Sequence, residues 1–337
     1  MSGIMLSGLC AESPMAFLAA LGALALASDG HDKQVTLSWR AGPDGSLRPL
    51  LHSSQLDTRE RMVEAVIAGH ETRDLERELG WEKDLMRVSR EELRKLLRDR
   101  LDAKSDSGDA RAAWMLAACL CELPLRRLQQ ASASAVSYTP FRLIPRVGRA
   151  RFLEAARREC EAGVEHLHGC LFEPWQYQRG TQSLRWDPGA AVPARALMAQ
   201  APTHVGPSGV PGAVLLAVRG LAFFQLITTR VGRTERAAPP GISKQREFVW
   251  PIWSDPLSER GTRMMLSMPW PMALVEARNQ ELKETAHDAR GAARRKIGEK
   301  FARRQLRAHG VIACYAAPRV RRGDDDEAFG WGQAIPI

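Results

Sequence analysis

Six cysteines in 337 residues, with no regular spacing and no C-x-x-C pair, leave no disulfide framework and no standard cysteine-based zinc module. The thiols Cys10, Cys119, Cys121, Cys160, Cys170 and Cys314 read as reduced and mostly buried, in a cytoplasmic protein. No apolar run reaches 18 residues without a charge, so no membrane-spanning helix is expected. The stretch nearest to one, Met15 to Ala27, ends Ala-Leu-Ala-Ser like a secretory segment. It lacks a preceding Lys or Arg and follows Glu12 and Pro14, so it reads as a buried first helix. Catalytic signatures are also missing. There is no G-x-S-x-G elbow, no papain-like cysteine context and no G-x-G-x-x-G, and no Lys-Ser/Thr follows Gly206, Gly209 and Gly212. Asp324, Asp325 and Asp326 cluster, but in a segment too loose for fixed metal geometry.

What the chain does have is a 45% hydrophobic fraction with nine Trp and nine Phe, enough for a packed core, and a net charge of +9. The charge is not spread out. Residues 290 to 322 hold eleven cations, Arg290, Arg294, Arg295, Lys296, Lys300, Arg303, Arg304, Arg307, Arg319, Arg321 and Arg322, against the single acid Glu299. That is +10 in 33 residues, which leaves the other 304 at −1. A merely solubilising helix face would carry interspersed acids at i,i+4 spacing, and these are nearly absent here. The pattern points to a polyanion-binding element. At 100° per residue Lys296, Lys300, Arg303, Arg304 and Arg307 share a stripe about 100° wide, with Ile297 and Phe301 beside it and Leu306 opposite. Such a helix anchors on one side and offers cations to a phosphate backbone, with salt-dependent and sequence-tolerant affinity. A membrane surface would want a wider apolar face than Ala292, Ala293, Ala302 and Ala308 supply.

Along the chain, Ser13 as N-cap and Pro14 at the first position start a core helix. Val35 to Trp39 alternates as a strand and is closed by the turn Pro43-Asp44-Gly45. Gln55 to Asp102 carries amphipathic helices. Lys104 to Asp109 is a linker or loop, Ala112 to Leu128 an apolar helix broken near Pro124, and Val147 to Leu167 a further amphipathic helix. Phe172 to Pro211 reads as loops and short strands, Ser183-Leu184-Arg185-Trp186 among them. Gly212 to Thr228 is a buried helix or a strand pair, and Arg246 to Trp253 a strand. Pro271 to His309 is largely helical and is followed by a strand from Val311 to Tyr315. The run Gly323 to Glu327 reads as a solvated acidic tail able to compete for the basic segment.

Two weaker constellations are present. Cys160, His166, His168 and Cys170 are zinc-ligand types, but C-x5-H-x-H-x-C matches no standard spacing, and one helix cannot aim all four at one point. No metal and no cofactor is expected. Trp175, Tyr177, Trp186, Trp250, Trp253 and Trp270 lie near Arg179 and Arg185 in Pro-rich contexts, as base-stacking residues do, yet such tryptophans are more often core.

Four stretches together resemble a known family. Ser13-Pro14-Met15-Ala16-Phe17-Leu18-Ala19-Ala20-Leu21-Gly22 is similar to the opening of the large-subunit proteins of type I CRISPR effector (Cascade) complexes. Leu184-Arg185-Trp186-Asp187-Pro188 resembles a "WDP" segment of the subtype I-G members. Leu216 to Phe224 and Phe248 to Trp253 resemble two later apolar segments in the same order. The resemblance implies a non-catalytic subunit of a crRNA-guided antiviral surveillance complex, either a compact large subunit or an accessory one. Its partners would be crRNA, target DNA, other effector subunits and a helicase-nuclease, with base pairing reading the target.

The expectation is an α+β protein: a mixed α/β N-terminal domain over 1–170, and over 171–337 a Trp/Pro-rich middle followed by a basic, mainly helical part. Its expected role is to bind nucleic acid as a subunit, with the eleven cations of 290–322 as the site. The alternatives are a metal-dependent nuclease or other hydrolase, and an adaptor whose basic helix binds an acidic protein.

Overall fold

The computed structural model describes residues 3–30, 34–80, 89–101, 107–122, 136–143, 152–190, 208–231, 234–281, 289–321 and 327–337. In chain order the elements are β1 (Gly3–Met5), α1 (Pro14–Gly30), β2 (Thr36–Ala41), β3 (Leu47–His52), α2 (Arg59–Glu71), α3 (Leu75–Leu79), α4 (Arg90–Leu101), α5 (Ser107–Cys119), β4 (Leu120–Glu122) and β5 (Val136–Tyr138). There follow α6 (Phe152–Ala162), α7 (Leu167–Phe172), β6 (Gln178–Arg179), β7 (Ser208–Gly209), α8 (Pro211–Gly220), β8 (Ile227–Val231), β9 (Thr234–Ala238) and β10 (Phe248–Trp253). The chain closes with α9 (Glu259–Leu266), α10 (Trp270–Glu281), α11 (Ala289–Ala308), β11 (Val311–Ala317), β12 (Arg319–Arg321), β13 (Glu327–Phe329) and β14 (Gln333–Ile335). Every strand pairing within these sheets is antiparallel and the helices lie between and around them, so the class is α+β.

Helix α1 is the axis of the core. Its first turn is capped as the sequence predicts, with Ser13 Oγ accepting from the Ala16 N–H at 3.3 Å and Pro14 opening the helix. Everything from Pro14 to Ala27 is buried, so the helix is covered on all sides. The small residues explain how. Gly22 of α1 and Gly220 of α8 face each other where the two helices cross. A Cβ on Gly22 would stand 1.8 Å from the Leu216 carbonyl oxygen, and one on Gly220 would stand 2.0 Å from that of Leu18. Only hydrogen fits between the two backbones there. The pairing makes Leu18, Leu21, Leu215 and Leu216 fully buried, each contributing about 1.5–3 kcal/mol before the entropy of ordering is subtracted.

Two three-stranded sheets flank this axis, in the orders β1-β3-β2 and β10-β11-β14. The segment that follows β10 reaches back to β2, where Leu37 and Leu257 exchange backbone hydrogen bonds of 2.8 and 2.9 Å. Pro251, which has no N–H to give, is accommodated because β10 lies at the edge of its sheet. The Phe17 ring of α1 stacks on Trp39 and Trp250 at 5.8 and 5.6 Å and meets Trp253 edge-on at 6.4 Å. One core cluster therefore draws on residues from both sides of position 170.

Several expectations are corrected and others are sharpened. The apolar helix after Ala112 ends at Cys119, where the chain turns into β4, and 123–135 lie outside the described residues. The segment from Val147 resolves into α6, a 3-10 turn over Val164–His166 and α7, with 144–151 outside the described residues. Ser183 to Trp186 is a turn rather than a strand: Leu184 and Arg185 both take left-handed backbone, at φ 49° and 64°. This conformation is unfavourable for side chains with a Cβ and is held by burial of Leu184 and Trp186 and by the Phe329 N–H donating to the Arg185 carbonyl at 3.0 Å. Of the two readings of Gly212 to Thr228, the chain adopts the buried helix α8 with a 3-10 turn after it. The linker region is described only from Ser107, which already belongs to α5. Pro271 to His309 is two helices, α10 and α11, with 282–288 outside the described residues.

Candidate nucleic-acid interface

Helix α11 rises about 30 Å over its 20 residues. Among its described side chains, from 296 on, it is anchored along one side. Ala302 and Leu306 are completely buried and pack it onto β11 and α10, and Gly310, at φ 72°, reverses the chain directly into β11. Because the anchor is narrow, the part of the predicted cation stripe that carries Lys296, Lys300, Arg304 and Arg307 faces solvent.

The eleven cations then sort by their surroundings. Lys296, Lys300 and Arg304 are exposed and make no ion pair among the described residues. Arg303, one turn from Lys300, is half-buried: it pairs with Glu299 and donates to the Pro336 carbonyl at 2.5 Å. Arg307 is exposed and donates to the Ile337 carbonyl oxygen at 2.6 Å. Arg290, Arg294 and Arg295 lie on the first half of the same helix. Arg321 is exposed on β12, directly across from Glu327 on β13. Arg322 lies outside the described residues.

Arg319 is turned inward. Its guanidinium binds Glu327 at 2.9 Å, donates to the Pro140 carbonyl and lies near the Phe329 ring. Burial, reinforced by the charge of Arg246, pushes its pKa down while Glu327 opposes the shift. It holds the β12–β13 hairpin in place and offers no open cation. Glu327 in turn is part of β13 and is bound by Arg319 and Arg246, so this end of the expected acidic tail is structured, while 322–326 lie outside the described residues.

The aromatic residues that might have stacked bases are mostly occupied. Trp186, Trp250 and Trp253 are fully buried and donate their indole N–H groups to the carbonyls of Phe141, Ala11 and Leu37 at 2.7–2.9 Å. Trp175 donates to the Cys170 carbonyl at 3.0 Å. Of the candidates Tyr177 is 42% exposed; Trp114 and Trp331 are also partly exposed, and on α11 Phe301 is half exposed beside the apolar Ile297, one turn before it, which is 70% exposed. The helical wheel placed both beside the cations, but their exposure depends on how α11 is rotated against its anchor.

The zinc-type residues do not converge. Cys160 and Cys170 are buried thiols, the latter donating to the Leu167 carbonyl at 3.2 Å; burial pushes the pKa of Cys160 up to about 12 and that of Cys170 higher still. His166 meets Gln178 and His168 meets Glu173. Among the described residues no three His, Cys, Asp or Glu side chains are grouped so as to hold a metal ion. No helix among them is long and apolar enough to cross a membrane.

One constellation escaped the sequence reading. Asp29 (α1), His70 (α2), Arg73, Glu78 (α3), Arg111 (α5) and Arg219 (α8) form a buried polar network. Arg219 pairs with Glu78, both side chains almost wholly inaccessible, and donates to His70 Nδ1 at 3.2 Å. Arg73 bridges Glu78, at 3.4 Å, and Asp29, and Arg111 also binds Asp29. Burial, then the charges of Arg219 and Arg73, push the His70 pKa down to about 4, so it is neutral near pH 7. The signal was there in Arg219, a lone charge in the otherwise apolar segment Val214 to Phe224. The network ties five helices together far from α11 in sequence.

No protein-family model and no curated protein matches the chain.

Proposed function

We propose that this protein is a non-catalytic nucleic-acid-binding subunit that acts in the cytoplasm and holds a phosphate backbone along α11. The observation carrying the reading is the row Lys296, Lys300 and Arg304: exposed cations with no ion pair among the described residues, on a helix whose opposite side is fixed to the core. Arg307 extends the row at the helix end, and Arg303 serves mainly to seat it. The four ordered stretches that resemble the large subunits of subtype I-G CRISPR effector complexes support placing it in a crRNA-guided antiviral assembly. There crRNA and target DNA would be its ligands, and other effector subunits and a helicase-nuclease its partners.

The test is fluorescence anisotropy on single-stranded DNA, duplex DNA and RNA over a salt series, with Lys296, Lys300 and Arg304 changed together to Gln. Each lost phosphate contact lowers the log–log salt slope by about 0.7–0.9, so the triple variant should lose about 2–3. Between about 50 and 200 mM salt the wild type should therefore lose up to about 40-fold more affinity than the variant. An unchanged slope would remove α11 as the binding element. Co-expression with the neighbouring genes tests the assembly: recovery of a stable complex containing a guide RNA is expected, and a lone RNA-free chain would count against it.

A further inference from the structure

Phe301 is half exposed and Ile297 more so, on a helix that could have turned either inward. Burying a phenylalanine is favourable, so a ring left partly in water next to an exposed isoleucine on an anchored helix calls for a reason. The ring is not loose. Trp270 of α10 stands against it with centroids 5.2 Å apart and planes at 80°, which fixes Phe301 while leaving half of it accessible.

Positions 297, 300, 301 and 304 follow the i, i+3, i+4, i+7 rule, so Ile297, Lys300, Phe301 and Arg304 lie along one face. Lys296 borders that face. The exposed ridge thus alternates apolar surface with cations, and its aromatic ring lies within one helical turn of Lys300 and Arg304. A duplex presents its phosphates to such a row but keeps its bases stacked inside, out of reach of a ring beside the backbone. A single strand presents phosphate and base face together, and stacking on an aromatic side chain tolerates any sequence. An acidic amphipathic peptide would share the charge complementarity, but it docks in an apolar groove. Ile297 and Phe301 instead project from a helix surface.

Resting on the nucleic-acid reading above, we infer that Phe301 is a base-stacking platform and that α11 takes a single-stranded nucleic acid. The backbone runs along Lys296, Lys300 and Arg304, one base lies on Phe301 and Ile297 closes the apolar side.

Phe301→Ala and Phe301→Trp, each checked for an unchanged melting profile, are titrated with a dT oligonucleotide, an rU oligonucleotide of equal length and a duplex. Phe301→Ala should weaken dT or rU binding about 5- to 150-fold, with the salt slope and duplex affinity unchanged, and Phe301→Trp should bind the single strand at least as well as the wild type. The better of dT and rU identifies the sugar preference. Loss of single strand and duplex alike, or no loss with Phe301→Ala, overturns the stacking role while leaving the backbone reading intact if the salt slope persists. A wild-type chain that binds neither form overturns both. A glutamate-rich amphipathic peptide that binds more tightly than dT, and is lost in Phe301→Ala, would reassign the face to a protein partner.

Discussion

Removing the cation at Arg219 tests the buried network most directly. In Arg219→Met the thioether fills much of the space of the lost stem, so the cavity contribution is small and the electrostatic one dominates. Glu78, whose side chain is 2% exposed, then keeps Arg73 at 3.4 Å but loses its closest cation. Breaking one side of a buried pair costs about 3–5 kcal/mol because the remaining charge stays desolvated. With Arg73 still present the expected loss is at the lower end, about 3 kcal/mol. Adding Glu78→Gln should recover part of it, so the double variant should be more stable than the sum of the two single losses by about 1–2 kcal/mol. Urea unfolding followed by tryptophan fluorescence reads this out, with the m-value checked for constancy. The same substitution removes one of the charges that hold the His70 pKa down, so an NMR titration should show that pKa moving up from about 4. A single-variant loss below about 1 kcal/mol, or strict additivity in the double, would refute the account of Arg219 as the network's main counter-charge.

His70 itself makes stability pH-dependent. Its folded pKa of about 4 lies below the ordinary 6.5, so the unfolded chain binds the extra proton first. The contribution is complete above about pH 6.5 and is lost as pH falls toward 4, by about 3 kcal/mol in total; His70→Gln should flatten the urea midpoint over that window relative to the wild type, and parallel acid limbs would contradict it. At the α1–α8 crossing, Gly220→Ala should cost more than about 3 kcal/mol or leave the chain insoluble, because the new Cβ would sit 2.0 Å from the Leu18 carbonyl oxygen. Gly298→Ala on α11 is the matched control: its Cβ meets nothing within 4 Å, and it should stabilise by about 0.5–1 kcal/mol through helix propensity. Both are read by thermal melting, and equal effects would refute the steric account.

The local chemistry of the sequence determined the helix start at Ser13-Pro14, the strand into Trp39, the strand Phe248–Trp253, the α+β class and the single basic stretch. Each of these rests on neighbours in the chain: a cap, a period of two, or a run of like charge. It also held the pairing of Glu299 with Arg303, since the one acid sits at i,i+4 from that cation. Tertiary packing decided the rest. Whether Arg303 or Arg304 faces water depends on the rotation of α11 about Ala302 and Leu306, which no local rule sets. Arg319 became a hairpin clamp only because Glu327 and the Pro140 carbonyl were brought to it from elsewhere in the chain. The left-handed turn at Leu184 and Arg185 overrode an extended preference because burying Leu184 and Trp186 outweighs the backbone strain. Of the tryptophans that composition offered as stacking residues, Trp186, Trp250 and Trp253 went into the core, where their N–H groups found carbonyls. The ring left beside the cation row was Phe301, half exposed because the narrow anchor of α11 turns that face outward.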